Sequence, residues 1–151
     1  MVAGFTILAL SFAGMELVAA LVHRFLMHGP GWGWHRSHHR PRRGLFEAND
    51  LYAVAFAAIA VALFTAGARG QPWLWWIGAG MTAYGLTYAL VHDGLVHRRF
   101  PGLPTPRRGY LKRLVQAHRL HHAVHRREGC VSFGFLYAPP VERLLARLRA
   151  R

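Results

Sequence analysis

Long apolar runs separated by strongly basic segments constrain this chain more than any other feature. Val2 to Val22 holds one acid, Glu16, and no Lys or Arg. A run of that length crosses a bilayer core as a helix. It lacks the basic start of a secretory signal peptide, and histidines follow it directly, so it reads as a retained span. A second run covers Leu51 to Ala68, with Asn49 or Asp50 as its cap. A third begins after Pro72 and passes Trp73, Trp75 and Trp76 to about Val91; the tryptophans suit a bilayer interface. The tight turn at 67–72 joins the second and third runs as a hairpin. Gly78, Gly80 and Gly85 allow close approach of another helix.

The remainder is too charged or too short to span. Thr105 followed by Pro106 marks a helix start, and that helix runs to about Arg126. Val131 to Ala138 is apolar but short. The end alternates Val141, Leu144, Leu145 and Leu148 with Arg143, Arg147, Arg149 and Arg151. This amphipathic segment either lies on a membrane surface or packs on its own domain. The 151 residues suit one domain, 1–151, and not two with separate cores. Cys130 is the single cysteine, so no internal disulfide forms.

A net charge of +13 first suggests nucleic acid. The basic residues, however, lie between the apolar runs, and no aromatic–basic platform accompanies them, so no nucleic-acid partner is expected. Residues 1–22 hold no Lys or Arg. Residues 23–50 hold five (Arg24, Arg36, Arg40, Arg42 and Arg43), the 67–72 turn holds Arg69, and residues 97–151 hold thirteen. The positive-inside rule then puts the N-terminus outside and both basic regions in the cytoplasm. The expected fold is an all-α integral membrane helical bundle in the cell (inner) membrane. It has three spans, with a fourth only if one run is two short, bent segments.

Ten of the eleven histidines fall into two matched sets. His23 and His28 form H-x4-H, and His35, His38 and His39 form H-x2-H-H. His92 and His97 repeat the first motif; His118, His121 and His122 repeat the second. The topology drawn from Lys and Arg places all four motifs on the cytoplasmic face. On a helix, positions i, i+3 and i+4 share a face, so each H-x2-H-H aims three imidazoles at one place. An i, i+5 pair lies about 140° apart on an ideal helix. Either those pairs flank two metals or the helix ends distort. So many imidazoles exceed the needs of one metal and suit two. Glu47, Asp50 and Asp93 are the nearby acids, with Asp93 a candidate to support a ligand. His125 extends the last set, with a solvated role preferred. Glu16 is a functional candidate because an acid inside a span is costly; a buried hydrogen-bonding role that steadies helix packing is preferred.

The stretches HRFLMHGPGWGWHRSHH (23–39), FEANDLYAV (46–54), GAGMTAYGLTYALVHDGLVHRRF (78–100), GYLKRLVQAHRLHHAV (109–124) and EGCVSFGFLYAPP (128–140) resemble the bacterial β-carotene hydroxylases, within the fatty-acid hydroxylase and sterol desaturase group. The resemblance implies two non-haem irons held by His23, His28, His35, His38, His39, His92, His97, His118, His121 and His122. It implies hydroxylation of C3 of β-ionone rings by O2 and two electrons, taking β-carotene through β-cryptoxanthin to zeaxanthin. It implies electrons from a separate carrier, ferredoxin with its reductase, consistent with the lack of a Gly-rich dinucleotide motif and of a haem-binding domain. The carotenoid is expected to arrive sideways from the lipid. Gly78, Gly80, Ala83 and Gly85 serve either as its path or as ordinary packing contacts, with packing preferred. The rivals are another membrane di-iron enzyme (a carotenoid ketolase, fatty-acid hydroxylase or desaturase) and a metal transporter. The transporter reading lacks polar residues deep in the spans.

Overall fold

The computed structural model describes residues 1–41 and 44–151, so Arg42 and Arg43 of the first basic segment lie outside the described residues. Among the described residues the regular elements are all helices, with no strand. Helix α1 (Val2–Leu21) continues without a break into a π-helical turn, Val22–Met27. A single short turn, α2 (Trp32–His35), follows. Then come α3 (Asp50–Ala68) and α4 (Pro72–Tyr88), the latter continuing into a second π-helical stretch, Ala89–Val96. Helices α5 (Gly109–His122) and α6 (Val141–Arg149) complete the order.

Two helices are long and apolar enough to cross a membrane: Val2–Met27 and α3. Neither is the core helix of a soluble domain, because the apolar window is 0% buried in the first and 11% buried in the second. Phe5, Leu10, Leu17, Val54 and Ile59 face outward. Such uncovered apolar faces suit contact with lipid or with a protein partner. The third run forms 17 residues of α-helix before its π-helical extension.

Helix α4 is the central member. It pairs with α3 as an antiparallel hairpin and runs parallel to α1. Small residues set both contacts. A Cβ on Gly80 would stand 2.5 Å from the Leu8 carbonyl, and one on Gly4 would enter the Trp76 ring. Gly78 faces the Ala60 carbonyl and Leu63 of α3. Gly78 and Gly80 are therefore packing contacts. Gly85 is not, since a Cβ there would meet open space. Thr82 and Thr87 bond back to carbonyls four residues earlier, which satisfies their hydroxyls inside the helix.

Two sequence expectations change. Helix α5 begins at Gly109 rather than at Pro106, and it ends at His122 rather than near Arg126. Gly109 has φ +72°, so the chain turns sharply there and the preceding proline-rich stretch stays outside the helix. The C-terminal α6 packs on α5 through the fully buried Leu144 and through Leu148, with Ala138 and Val131 in the same cluster. Leu144 and Leu148 of its apolar stripe are thus packed against the chain itself.

Candidate metal centre

The two H-x4-H pairs sit on the two π-helical turns. The His28 amide donates to the His23 carbonyl at 3.0 Å, and the His97 amide to the His92 carbonyl at 2.9 Å. Widening the turn to an i→i+5 bond brings residues five apart onto one side of the helix, as π-bulges at functional sites do. The helix end distorts, so neither pair straddles two sites. The H-x2-H-H triplets behave in the opposite way. His35 and His39 point one way and His38 another; His118 joins His38, while His121 joins His35 and His39. The expectation that each triplet aims three rings at one place is thus corrected. The i and i+4 members stay together and the i+3 member turns to the neighbouring cluster.

Two nitrogen cages result. The first is His23, His28, His35, His39 and His121; the second is His38, His92, His97 and His118. Within each, the ligand atoms lie within 4.8 Å of one another. His122 Nε2 stands 2.8 Å from His118 Nε2, and its ring lies 4.4 Å from that of His39, so it borders both. His125 is exposed beyond the end of α5 and joins neither cage.

The outward nitrogens are held by partners that orient each ring. Nδ1 of His23, His28, His39 and His121 meets the carbonyls of Phe133, Arg127, Val124 and Val131 at 2.8–3.0 Å. His35 Nδ1 meets Asn49 Oδ1, His38 Nδ1 meets Glu47 and His92 Nδ1 meets Asp93, each at 2.7 Å. A carbonyl only accepts, so in the first four rings Nδ1 carries the proton and Nε2 bears a lone pair. Burial keeps the rings neutral. It lowers His39 to about 4, His35 to about 3 and His122 to about 2, and it holds His38 and His121 well below the ordinary value.

That proton placement tests whether a metal fits. His28 Nε2 and His121 Nε2 stand 3.1 Å apart with no proton between them. His23 and His35 show the same approach at 3.1 Å, and His38 and His92 at 3.2 Å. Converging lone pairs at this spacing repel one another, and a cation held among them turns the repulsion into coordination. An imidazole that ligates through Nε2 and donates Nδ1–H to a carbonyl or carboxylate is the usual form of a metal-ligating histidine.

Several contributors escape motif reading. Asn49, expected with Asp50 as a cap of α3, does occupy the N-cap, but its side chain makes no cap bond and accepts from His35. Glu47 holds His38, nine residues earlier. The Tyr88 hydroxyl lies 3.1 Å from His92 Nε2, one helical turn before it. Glu16 bonds to no histidine. It accepts the amides of Phe135, Leu136 and Tyr137 and the Tyr84 hydroxyl. It thereby anchors the segment whose Val131 and Phe133 carbonyls orient His121 and His23.

A cavity of about 530 Å³ leads from the histidines into the apolar helices. Its walls include Met15 and Ala19 of α1, Phe56 and Ala60 of α3, and Gly85 and Tyr88 of α4. Its inner end is bounded by His23, His35, His38, His92 and His118 together with Phe133 and Phe135. Gly85 of the four small residues named above lines this space; Gly78, Gly80 and Ala83 do not. The volume falls in the range of about 300–1,000 Å³ usual for small-molecule sites.

A family model described as fatty acid hydroxylase matches residues 8–145. The chain is 65% identical over 138 residues to a β-carotene hydroxylase of Pantoea ananas, covering 91% of this chain and 79% of that one. It is 62% identical over 145 residues to a β-carotene hydroxylase of Pseudescherichia vulneris, covering 96% and 82%. A chloroplastic β-carotene 3-hydroxylase of Haematococcus lacustris is 45% identical over 133 residues, covering 81% and 40%. No solved structure matches the chain.

Proposed function

The chain belongs to the fatty acid hydroxylase family, and we propose that it hydroxylates C3 of the β-ionone rings of β-carotene, giving β-cryptoxanthin and then zeaxanthin. The observation that carries this reading is the pair of nitrogen cages beside an apolar cavity that histidines of both cages line. The cages would hold two irons, one among His23, His28, His35, His39 and His121 and one among His38, His92, His97 and His118, with His122 bordering both. Iron bound there supplies the oxidising power for C–H hydroxylation with O2 and two electrons, chemistry that no side chain can provide alone. The electrons come from a separate carrier such as ferredoxin.

The chain's own residues do the rest. Seven Nδ1 partners hold the rings in place, so ligand order is set before substrate arrives. Phe56, Phe133 and Phe135 give the ring an apolar seat and keep water from the inner end of the cavity. Helices α1 and α3 make little contact with each other, which leaves a lateral way in from lipid between them. Three spans (Val2–Met27, α3, and α4 with its extension) put the N-terminus outside and all four histidine motifs at the cytoplasmic face, in the cell membrane. The apolar, protein-uncovered surfaces of the first two support the membrane setting, and the distribution of Lys and Arg supports the sidedness.

The test is expression in bacteria that accumulate β-carotene, with pigments separated by chromatography and His121→Ala as control. Cryptoxanthin and zeaxanthin that vanish in the control are expected. Unchanged β-carotene, with the protein in the membrane and iron and ferredoxin supplied, refutes the substrate. Echinenone or canthaxanthin would instead make the chain a ketolase.

A further inference from the structure

The two cages differ in what stands behind their rings. In the five-histidine cage every resolved outer partner is neutral: four backbone carbonyls and the Asn49 amide. In the second cage two rings are backed by carboxylates, Glu47 behind His38 and Asp93 behind His92, both at 2.7 Å. The chain has only six acidic residues beside 19 basic ones. Three of the six gather here, because Asp50 accepts the Glu47 amide at 3.0 Å and shares Arg99 with Asp93. In a chain this basic, such grouping is unexpected unless something cationic lies beside it. Arg99 accounts for one positive charge among three negative ones.

A carboxylate that accepts Nδ1–H makes the imidazole a stronger donor at Nε2 than a carbonyl does, and it adds negative charge one ring away from the ion. Neither effect operates in the five-histidine cage. We propose that the two metal positions are inequivalent: the cage of His38, His92, His97 and His118 binds its ion first and more tightly, and Glu47 and Asp93 are the positioning residues that make it so. The more basic cage also favours the more highly charged state of its ion. The five-histidine cage binds second and gives up its ion first. This rests on the reading that both cages hold iron.

Purified, metal-stripped protein in detergent is titrated anaerobically with Fe(II), enriched in a Mössbauer-active isotope, and binding is followed by calorimetry and Mössbauer spectroscopy. Two phases are expected, each of one ion per chain. His92→Ala should remove the tight phase and His28→Ala the weak one. Glu47→Gln and Asp93→Asn should each weaken the tight phase 10- to 100-fold, as loss of an outer partner usually does, and leave the weak phase in place. Asn49→Asp is the reciprocal variant. It gives His35 a carboxylate partner, so it should tighten the weak phase and narrow the gap. Two ions of equal affinity, a carboxylate variant that weakens the second phase instead, or Asn49→Asp that leaves the gap unchanged would overturn the inequivalence alone. Uptake of fewer than two ions by the parent protein would instead sink the two-iron reading beneath it.

Discussion

Replacing Glu16 with Leu tests whether a carboxyl inside α1 supports the cage from a distance. Its oxygens accept three successive amides, from Phe135, Leu136 and Tyr137, at 2.8–2.9 Å, and the Tyr84 hydroxyl at 2.8 Å. Leucine has similar bulk and leaves all four donors without a partner. The Tyr137 amide is exposed and can turn to water. The amides of Phe135 and Leu136 and the Tyr84 hydroxyl are partly buried, and each such loss costs about 1 kcal/mol or more. The total is about 3 kcal/mol, enough to free the 131–137 segment without unfolding a well-packed bundle. Because that segment supplies the carbonyls behind His23 and His121, the loss should appear in the five-histidine cage. The assay is thermal unfolding in detergent alongside iron content at limiting free iron. A lower melting temperature and a loss of about one iron per chain are expected. Unchanged stability and iron content would refute the argument. Glu16→Gln should fall between, since an amide oxygen still accepts but carries no charge.

Gly80→Val should separate α1 from α4. Its Cβ would stand 2.5 Å from a backbone carbonyl, and overpacking costs of about 1–3 kcal/mol exceed the roughly 1 kcal/mol at most gained by replacing a helical glycine; a lower melting temperature checks this. Gly85→Phe meets open space instead. It should leave folding and iron content intact while filling the cavity, so pigment analysis should show the hydroxylated products falling sharply. Metal-stripped protein should lose stability in acid. His35 and His39 titrate at about 3 and about 4 when folded, against about 6.5 when unfolded. The unfolded chain therefore binds more protons below that value, and each such ring costs about 1.4 kcal/mol per pH unit until its folded value is reached. Melting temperature should be flat above pH 6.5 and fall as pH drops toward 4; a flat profile throughout would contradict the buried, neutral assignment.

Much of the architecture is legible in the residues, and the parts that are not have physical causes. Apolar runs mark α1, α3 and α4 because few charges interrupt them, and α1 with its extension and α3 are long and apolar enough to cross a membrane. The four histidine motifs mark the region where the imidazoles gather, because burying so many rings together is costly without a common purpose. The convergence of His23 with His28, and of His92 with His97, stood in the sequence only as one of two alternatives, because an i, i+5 pair diverges on an α-helix and the π-turn that corrects it leaves no trace in periodicity. The division of each triplet between two cages is hidden for a related reason. Spacing reports which face a ring occupies and not which partner approaches that face. Asn49 illustrates a local rule overridden by tertiary contact, since a residue typed for capping serves His35 instead. Glu47 and Asp93 could have been weighted more heavily from scarcity alone, as acids are rare in this chain.

The source of the hydroxyl oxygen tests the central claim most directly. Iron-loaded protein is supplied with β-carotene in micelles, a reduced carrier protein and isotopically heavy O2, and the zeaxanthin is analysed by mass spectrometry. Label in both hydroxyl groups, and no product from metal-stripped protein, is the predicted result. Hydroxyl oxygen drawn from water, or product that forms equally without metal, would contradict it.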